Sequence, residues 1–220
     1  MFMKRHKILF AIVVIVLLTI AWKNIAQPGV PLFSNAATEK NGWNLILVNQ
    51  KNYLPSNYNV ELLELSNGEK IDKRIYPELQ KMFDMARKSG IDLEVASGYR
   101  TFRDQQVILD EKTERYEELG ENHRKAENDA LKLVAKPGTS EHQTGLAVDI
   151  DAKGNTDSSI LYTWLSQNAY RYGFIQRYPG AKKDITGISN EPWHYRYVGT
   201  NAAKKIFERR LCLEEYLKDI

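Results

Sequence analysis

The stretch Ser140-Glu141-His142-Gln143-Thr144-Gly145-Leu146-Ala147-Val148-Asp149-Ile150-Asp151 carries two patterns at once. Leu146, Val148 and Ile150 recur at the two-residue period of a strand, which puts Ala147, Asp149 and Asp151 on the opposite face. Gly145 lets the chain turn between the imidazole of His142 and this strand. Asp149 can then face a site while its neighbours face the core. Taken alone, His-x6-Asp fits a hydrogen-bonded core histidine as readily as a ligand pair.

Working outward, Pro77 suits a first helical position, Leu79, Met82, Phe83 and Ala86 follow at helical spacing, and Gly90 ends the helix. The segment 91–96 alternates like a half-buried strand and runs into Ser97-Gly98-Tyr99-Arg100. Thr101 and Asp104 form a capping-box start to the next helix. Helical character extends from Arg103 to Val134, is divided at Gly120 and Asn122, and stops at Pro137-Gly138. Further on, a helix over 158–172 ends at Gly173, strand-like Phe174 to Arg177 follows, and a turn-rich loop leads to Glu191. A strand over Trp193 to Val198 and a final helix capped by Thr200, reaching Leu211 with a further turn through Leu217, complete the chain. Trp43 to Val48 reads as a buried strand, and 49–58 as irregular. Helices and short strands mix without a regular βαβ alternation. The expected class is therefore α+β, one domain with a small, mainly antiparallel sheet flanked by helices.

The 220 residues are 43% hydrophobic and 27% charged, the composition of a globular protein. Ahead of the domain, Lys4, Arg5 and Lys7 precede the 15-residue apolar run Ile8 to Trp22, interrupted only by Thr19 and closed by Lys23. This is a targeting segment, either an uncleaved anchor or a signal peptide. The positive-inside rule leaves its amino end in the cytoplasm and the rest exported. Residues 24–42, with Pro28, Gly29 and Pro31, read as a linker, and the domain occupies 43–220. The expected location is the bacterial membrane with the domain outside, or secretion after cleavage. Removing Lys4, Arg5, Lys7 and Lys23 from the 31 basic residues leaves 27 against 28 acidic ones. No cationic surplus remains for nucleic acid. Cys212, the only cysteine, excludes an intrachain disulfide and a cysteine-based zinc site.

Of the four histidines, His6 precedes the apolar run and His123 lies in an acidic helix junction, which leaves His142 and His194. The second of these stands in Glu191-Pro192-Trp193-His194, where the proline keeps the chain before it extended. His142, Asp149 and His194 make three ligands for zinc, and three leave a coordination position open, as hydrolysis requires. Glu191 is then a general base for the attacking water, or alternatively a partner that orients His194. Asp151 reads as a solvated carboxylate or one that orients a metal ligand, and Tyr99, Trp193 and Tyr195 as packing aromatics or groove wall more than as substrate contacts. Arg171, Arg177 and Arg196 have carboxylates in abundance to pair with.

Ser97-Gly-Tyr-Arg100 with Gln106, the run Lys136-Pro-Gly-Thr-Ser140-Glu-His142-Gln-Thr-Gly145-Leu-Ala-Val-Asp149, and Glu191-Pro-Trp-His194-Tyr-Arg-Tyr-Val-Gly199 closely resemble the VanY-like zinc D-alanyl-D-alanine carboxypeptidases and their L,D-carboxypeptidase relatives. The resemblance covers about residues 43–217. It implies the compact fold shared with lysostaphin-type peptidases and the hedgehog signalling domain, a Zn2+ cofactor on His142, Asp149 and His194, and Glu191 as the catalytic residue. It also implies that Arg100, Gln106 and Ser140 meet the substrate. A carboxypeptidase must hold a terminal carboxylate, and an arginine fork does so with paired charge-assisted hydrogen bonds. The expected partners are peptidoglycan stem peptides and the membrane through the N-terminal segment, and the expected state is a monomer. An L,D-carboxypeptidase acting on tetrapeptide stems and a zinc-containing wall-binding module without catalysis are the alternatives. A module kept only for binding has no need of Glu191.

Overall fold

The computed structural model describes residues 41–154 and 156–220. The apolar run at 8–22 and nearly all of the linker at 24–42 lie outside the described residues. Among the described residues no helix is long and apolar enough to cross a membrane.

Two small strands come first, β1 (Leu62–Glu64) and β2 (Lys70–Asp72), paired antiparallel. Three residues each, mixing charge with leucine and isoleucine, they carry too little alternation to stand out in the sequence. Helix α1 (Tyr76–Lys88) holds Pro77 in its first turn and buries Leu79, Met82 and Ala86. Strand β3 (Leu93–Ser97) begins two residues later than the alternation suggests. Its predicted first residue, Ile91, still bonds back to the helix through Ala86 O at 3.0 Å. The Thr101 and Asp104 capping box opens α2 (Phe102–Glu118), and the Asn122 side chain caps α3 (His123–Ala130). A 3-10 turn over Glu141–Thr144 leads through Gly145, at φ 72, into β4 (Ala147–Ala152). A Cβ at Gly145 would lie 2.9 Å from the Asp72 backbone nitrogen, so the position excludes a side chain on space as well as on backbone angle.

Helix α4 (Ser158–Asn168) tightens into a 3-10 turn, Ala169–Tyr172, that ends at Gly173. Strand β5 (Phe174–Tyr178), the one-turn helix α5 (Lys183–Thr186), strand β6 (Glu191–Tyr197), and helices α6 (Thr200–Arg209) and α7 (Leu213–Lys218) follow. The loop expected before Glu191 thus contains a turn of helix. Thr200 begins α6 instead of capping it; Gly199 holds the cap position.

The four longer strands form one antiparallel sheet in the order β3-β4-β6-β5. Val148 is paired with Tyr195 and Asp149 with His194. Strand alternation therefore divides the sheet into two faces. Val148, Ile150 and Tyr195 join Leu79, Met82 and Ala86 of α1 and Leu161 and Leu165 of α4 in the main core. Asp149 and His194 point to the other face.

Trp43 to Val48 is not a strand. Trp43–Leu45 is a 3-10 turn, and Ile46 and Val48 are buried beyond it. The donors that a neighbouring strand would supply come from a side chain: Nη2 of Arg196 donates to the carbonyls of Asn44 and Ile46 at 3.1 and 2.7 Å. Alternating burial is satisfied here with no sheet partner.

Gly98 follows β3, and a Cβ there would overlap the carbonyl oxygen of Lys70. Tyr99 N donates to that same oxygen at 2.5 Å, which pins the two segments together. Gly98→Ala is expected to cost about 2 kcal/mol or more through forced backbone movement. The measurement is thermal unfolding, where a fall in Tm of roughly 4–8 °C is expected. An unchanged Tm would show that the approach is looser than drawn.

Candidate metal centre

The face of the sheet away from the core carries Asp149 on β4 and His194 on β6, brought opposite by register alone. The 3-10 turn before β4 delivers His142. Both histidines are 4% exposed. One atom from each of His142, Asp149 and His194 lies within 4.8 Å of the others, so the three expected ligands form one cluster. Nε2 of His142 is 3.4 Å from Oδ2 of Asp149, and Nδ1 of His194 is 3.0 Å from Oδ1. Tetrahedral zinc with bonds of about 2.0–2.1 Å requires ligand atoms roughly 3.4 Å apart, so the set fits that ion.

The hydrogen-bonding pattern agrees. His142 Nδ1 donates to the Gly98 carbonyl at 2.7 Å, which fixes the proton there and leaves Nε2 free to ligate. Burial lowers the pKa of His142, favouring the neutral ring that a metal needs. Asp149 behaves oppositely: burial acts to raise its pKa, but the neighbouring rings of His142 and His194 hold it well below the usual carboxylate range. For His194, burial acts to lower the pKa, yet Asp149 and Glu141 together bring it up to about 9.

Glu191 opens β6 and lines the same cleft, which has a volume of about 220 Å³. Its Oε2 is 3.9 Å from Nδ1 of His194, on the ligand side of the ring and beyond hydrogen-bond reach. Orientation of His194 by Glu191 is therefore not seen. Burial raises the pKa of Glu191, the first and largest influence on it.

Arg100 lies over the cluster. Its Nη2 donates to Ser97 Oγ at 2.9 Å and to Asp149 Oδ2 at 3.2 Å, whereas Nη1 has only a 3.5 Å approach to Gln105 Oε1. Ser140 also lines the cleft, and its hydroxyl makes no cap bond to the following turn. Gln106 does not belong to the group. It is exposed and donates to Asp110 at 2.7 Å on the outer side of α2. Gln105, 1% exposed, is the glutamine that lines the cleft, held by the Ala135 carbonyl at 2.8 Å. Adjacent helical residues point about 100° apart, so a slip of one position exchanges inside for outside.

Trp193, 41% exposed, forms cleft wall, whereas Tyr195 at 1% belongs to the core. Tyr178, which the sequence reading did not single out, packs its ring 5.0 Å from that of His194. Asp151 is exposed, and Cys212 is buried with its thiol pushed up to about 11 by burial. Arg177 and Arg196 are fully buried and converge on Glu141, a residue that no motif or spacing singles out. A larger groove of about 600 Å³, lined by Leu165, Tyr170 and Phe207 among others, contains none of the three ligands.

Comparison with known proteins gives a consistent picture. The sequence profile of the VanY family, described as D-alanyl-D-alanine carboxypeptidase, matches residues 68–200. A D-alanyl-D-alanine carboxypeptidase of Enterococcus faecalis is 57% identical over 176 residues, 80% of this chain and 66% of that protein. The crystal structure of a vancomycin resistance D,D-pentapeptidase, a VanY glutamate-to-alanine variant in complex with Zn(II), is also 57% identical. It aligns with a TM-score of 0.77 over 80% of this chain and 99% of its own. The structure of the LdcB LD-carboxypeptidase, which reveals peptidoglycan recognition, is 41% identical with a TM-score of 0.69, covering 81% of this chain and 87% of that one.

Proposed function

The chain belongs to the VanY family of D-alanyl-D-alanine carboxypeptidases, and from that we propose that it hydrolyses the C-terminal D-alanine from peptidoglycan stem peptides with the cluster His142, Asp149 and His194 as its zinc site. The observation that carries this reading is the three-ligand cluster with Glu191 beside it and outside it. When bound, zinc lowers the pKa of a water molecule to near neutrality and polarises the scissile carbonyl.

The remaining steps fall to the protein's own groups. Glu191, standing beside the ligand cluster in the same cleft, takes a proton from the attacking water and passes it to the leaving amine. Arg100 receives the terminal carboxylate through Nη1, while Nη2 stays on Asp149 and Ser97. Ser140 offers a hydroxyl to the peptide backbone, and Trp193 with Tyr178 shields the reacting bond from solvent.

The test is to incubate the protein with muropeptide penta- and tetrapeptides and follow free D-alanine by mass spectrometry. Release from the pentapeptide that a zinc chelator abolishes and added zinc restores is the expected result. Release from the tetrapeptide alone would transfer the assignment to the L,D reaction, which the likeness to LdcB favours as second reading. Zinc binding without any release would leave a binding module.

Arg100→Ala is expected to lower kcat/KM for peptides with a free carboxylate by roughly 10–100-fold, matching the 1.5–3 kcal/mol of charge-assisted hydrogen bonds. Amidated peptides should lose much less. Equal losses on both would remove Arg100 as the carboxylate anchor.

The domain is proposed to work outside the cytoplasm, tethered or released. Support comes from Lys4, Arg5 and Lys7 ahead of the apolar run 8–22.

A further inference from the structure

Two buried polar atoms that lack a hydrogen-bond partner face each other across 3.6 Å: Nε2 of His194 and Oε2 of Glu141. The other ring nitrogen, Nδ1, is the one turned toward Asp149. Glu141 is itself fixed firmly. Its Oε1 accepts from Nε of Arg177 and from Nη1 of Arg196, each at 2.8 Å. Glu214 of α7 in turn accepts from Arg177 at 2.9 and 2.6 Å. Two guanidinium groups and two carboxylates balance in charge, so this buried set needs no proton from the ring to be neutral.

A carboxylate oxygen left bare in the interior costs free energy, and so does a bare ring nitrogen. One tautomer of His194 resolves both. With its proton on Nε2, the ring donates to Oε2 after a small closure of the gap, and Nδ1 keeps its lone pair. With the proton on Nδ1, both atoms stay orphaned and the ligand position is blocked.

We propose that Glu141 is a positioning residue of the metal centre: it accepts the Nε2 proton of His194 and so holds Nδ1 free and aimed at the zinc. The inference rests on the zinc reading above. The two histidines are then set by different means. His142 gives its proton to a neutral carbonyl, Gly98, and ligates through Nε2. His194 gives its proton to a charged carboxylate and ligates through Nδ1. A carboxylate acceptor also makes the ring a more basic ligand.

The experiment compares Glu141→Gln with Glu214→Gln in the full-length chain. Each variant removes one negative charge from the same buried set, but only the first changes the atom facing His194. Arg177 and Arg196 would claim the amide oxygen of the new glutamine, turning its NH2 group toward Nε2, donor against donor. Zinc affinity, measured by competition with a chromogenic chelator, is expected to fall roughly 10–100-fold in Glu141→Gln and less than about threefold in Glu214→Gln. In nitrogen-15 spectra of histidine-labelled, zinc-loaded protein, the Nε2 proton of His194 should lie far downfield in the wild type and shift only in Glu141→Gln. The Nδ1 proton of His142 should stay put in both. Unchanged affinity and spectrum in Glu141→Gln would overturn the inference. If that variant does not fold, the wild-type spectrum decides. A zinc-loaded His194 protonated on Nδ1, or bound through Nε2, overturns it, and one protonated on Nε2 supports it. A wild-type protein that binds no zinc would overturn the proposed function and this inference with it.

Discussion

Glu191→Gln is expected to retain zinc and to lose kcat by roughly 10²–10⁴-fold, the range over which a positioned general base acts. The substitution keeps size and shape and removes only the capacity to take a proton. Oε2 lies 3.9 Å from the ligating nitrogen of His194, so the three ligands keep their own contacts without it. Zinc content by atomic emission, alongside D-alanine release, separates the two effects. Loss of metal would make Glu191 a ligand and the role assigned to it wrong.

Arg196→Met is expected to destabilise the fold by about 3–5 kcal/mol, as removal of one partner from a buried ion set does. Against a total stability of about 5–15 kcal/mol this is a large loss. The change takes a cation from Glu141 and strips the carbonyls of Asn44 and Ile46 of their donor. Methionine fills much of the same volume, so the cost comes from the uncompensated carboxylate and carbonyls and not from a cavity. Denaturant unfolding should be carried out on zinc-free protein, since bound metal adds its own stabilisation by mass action. A loss below about 1 kcal/mol would mean that water or rearranged side chains serve these groups instead.

The local signals in the sequence were strong where a short segment settles its own structure. Thr101 with Asp104 announces α2, Pro77 with Gly90 brackets α1, and the alternation at 146–150 places Asp149 opposite the core. The three candidate ligands stand out in the sequence because histidine is scarce, with only four in the chain, and because each sits in a recognisable context; the structure brings them into one cluster. Three features depended on remote partners and were hidden. The buried alternation of 43–48 imitates a strand, since what satisfies its backbone is an arginine about 150 residues away. Gln105 and Gln106 are indistinguishable by type, and only the pitch of α2 against the Ala135 carbonyl decides between them. Glu141 looks like one more acidic residue until β5 and β6 bring Arg177 and Arg196 to it.

The tie between Arg196 and the carbonyls of Asn44 and Ile46 joins positions 152 and 150 residues apart. Strand β6 carries both Arg196 and His194, so the ligand cannot swing away while that tie holds. Local opening at the cleft would have to release the start of the domain as well, which links it to the larger cooperative openings instead of to surface fraying. If the domain works beyond the cytoplasm, as proposed, among other peptidases, this matters as much as catalysis. The segment most useful to the reaction is also among the last to become a substrate itself.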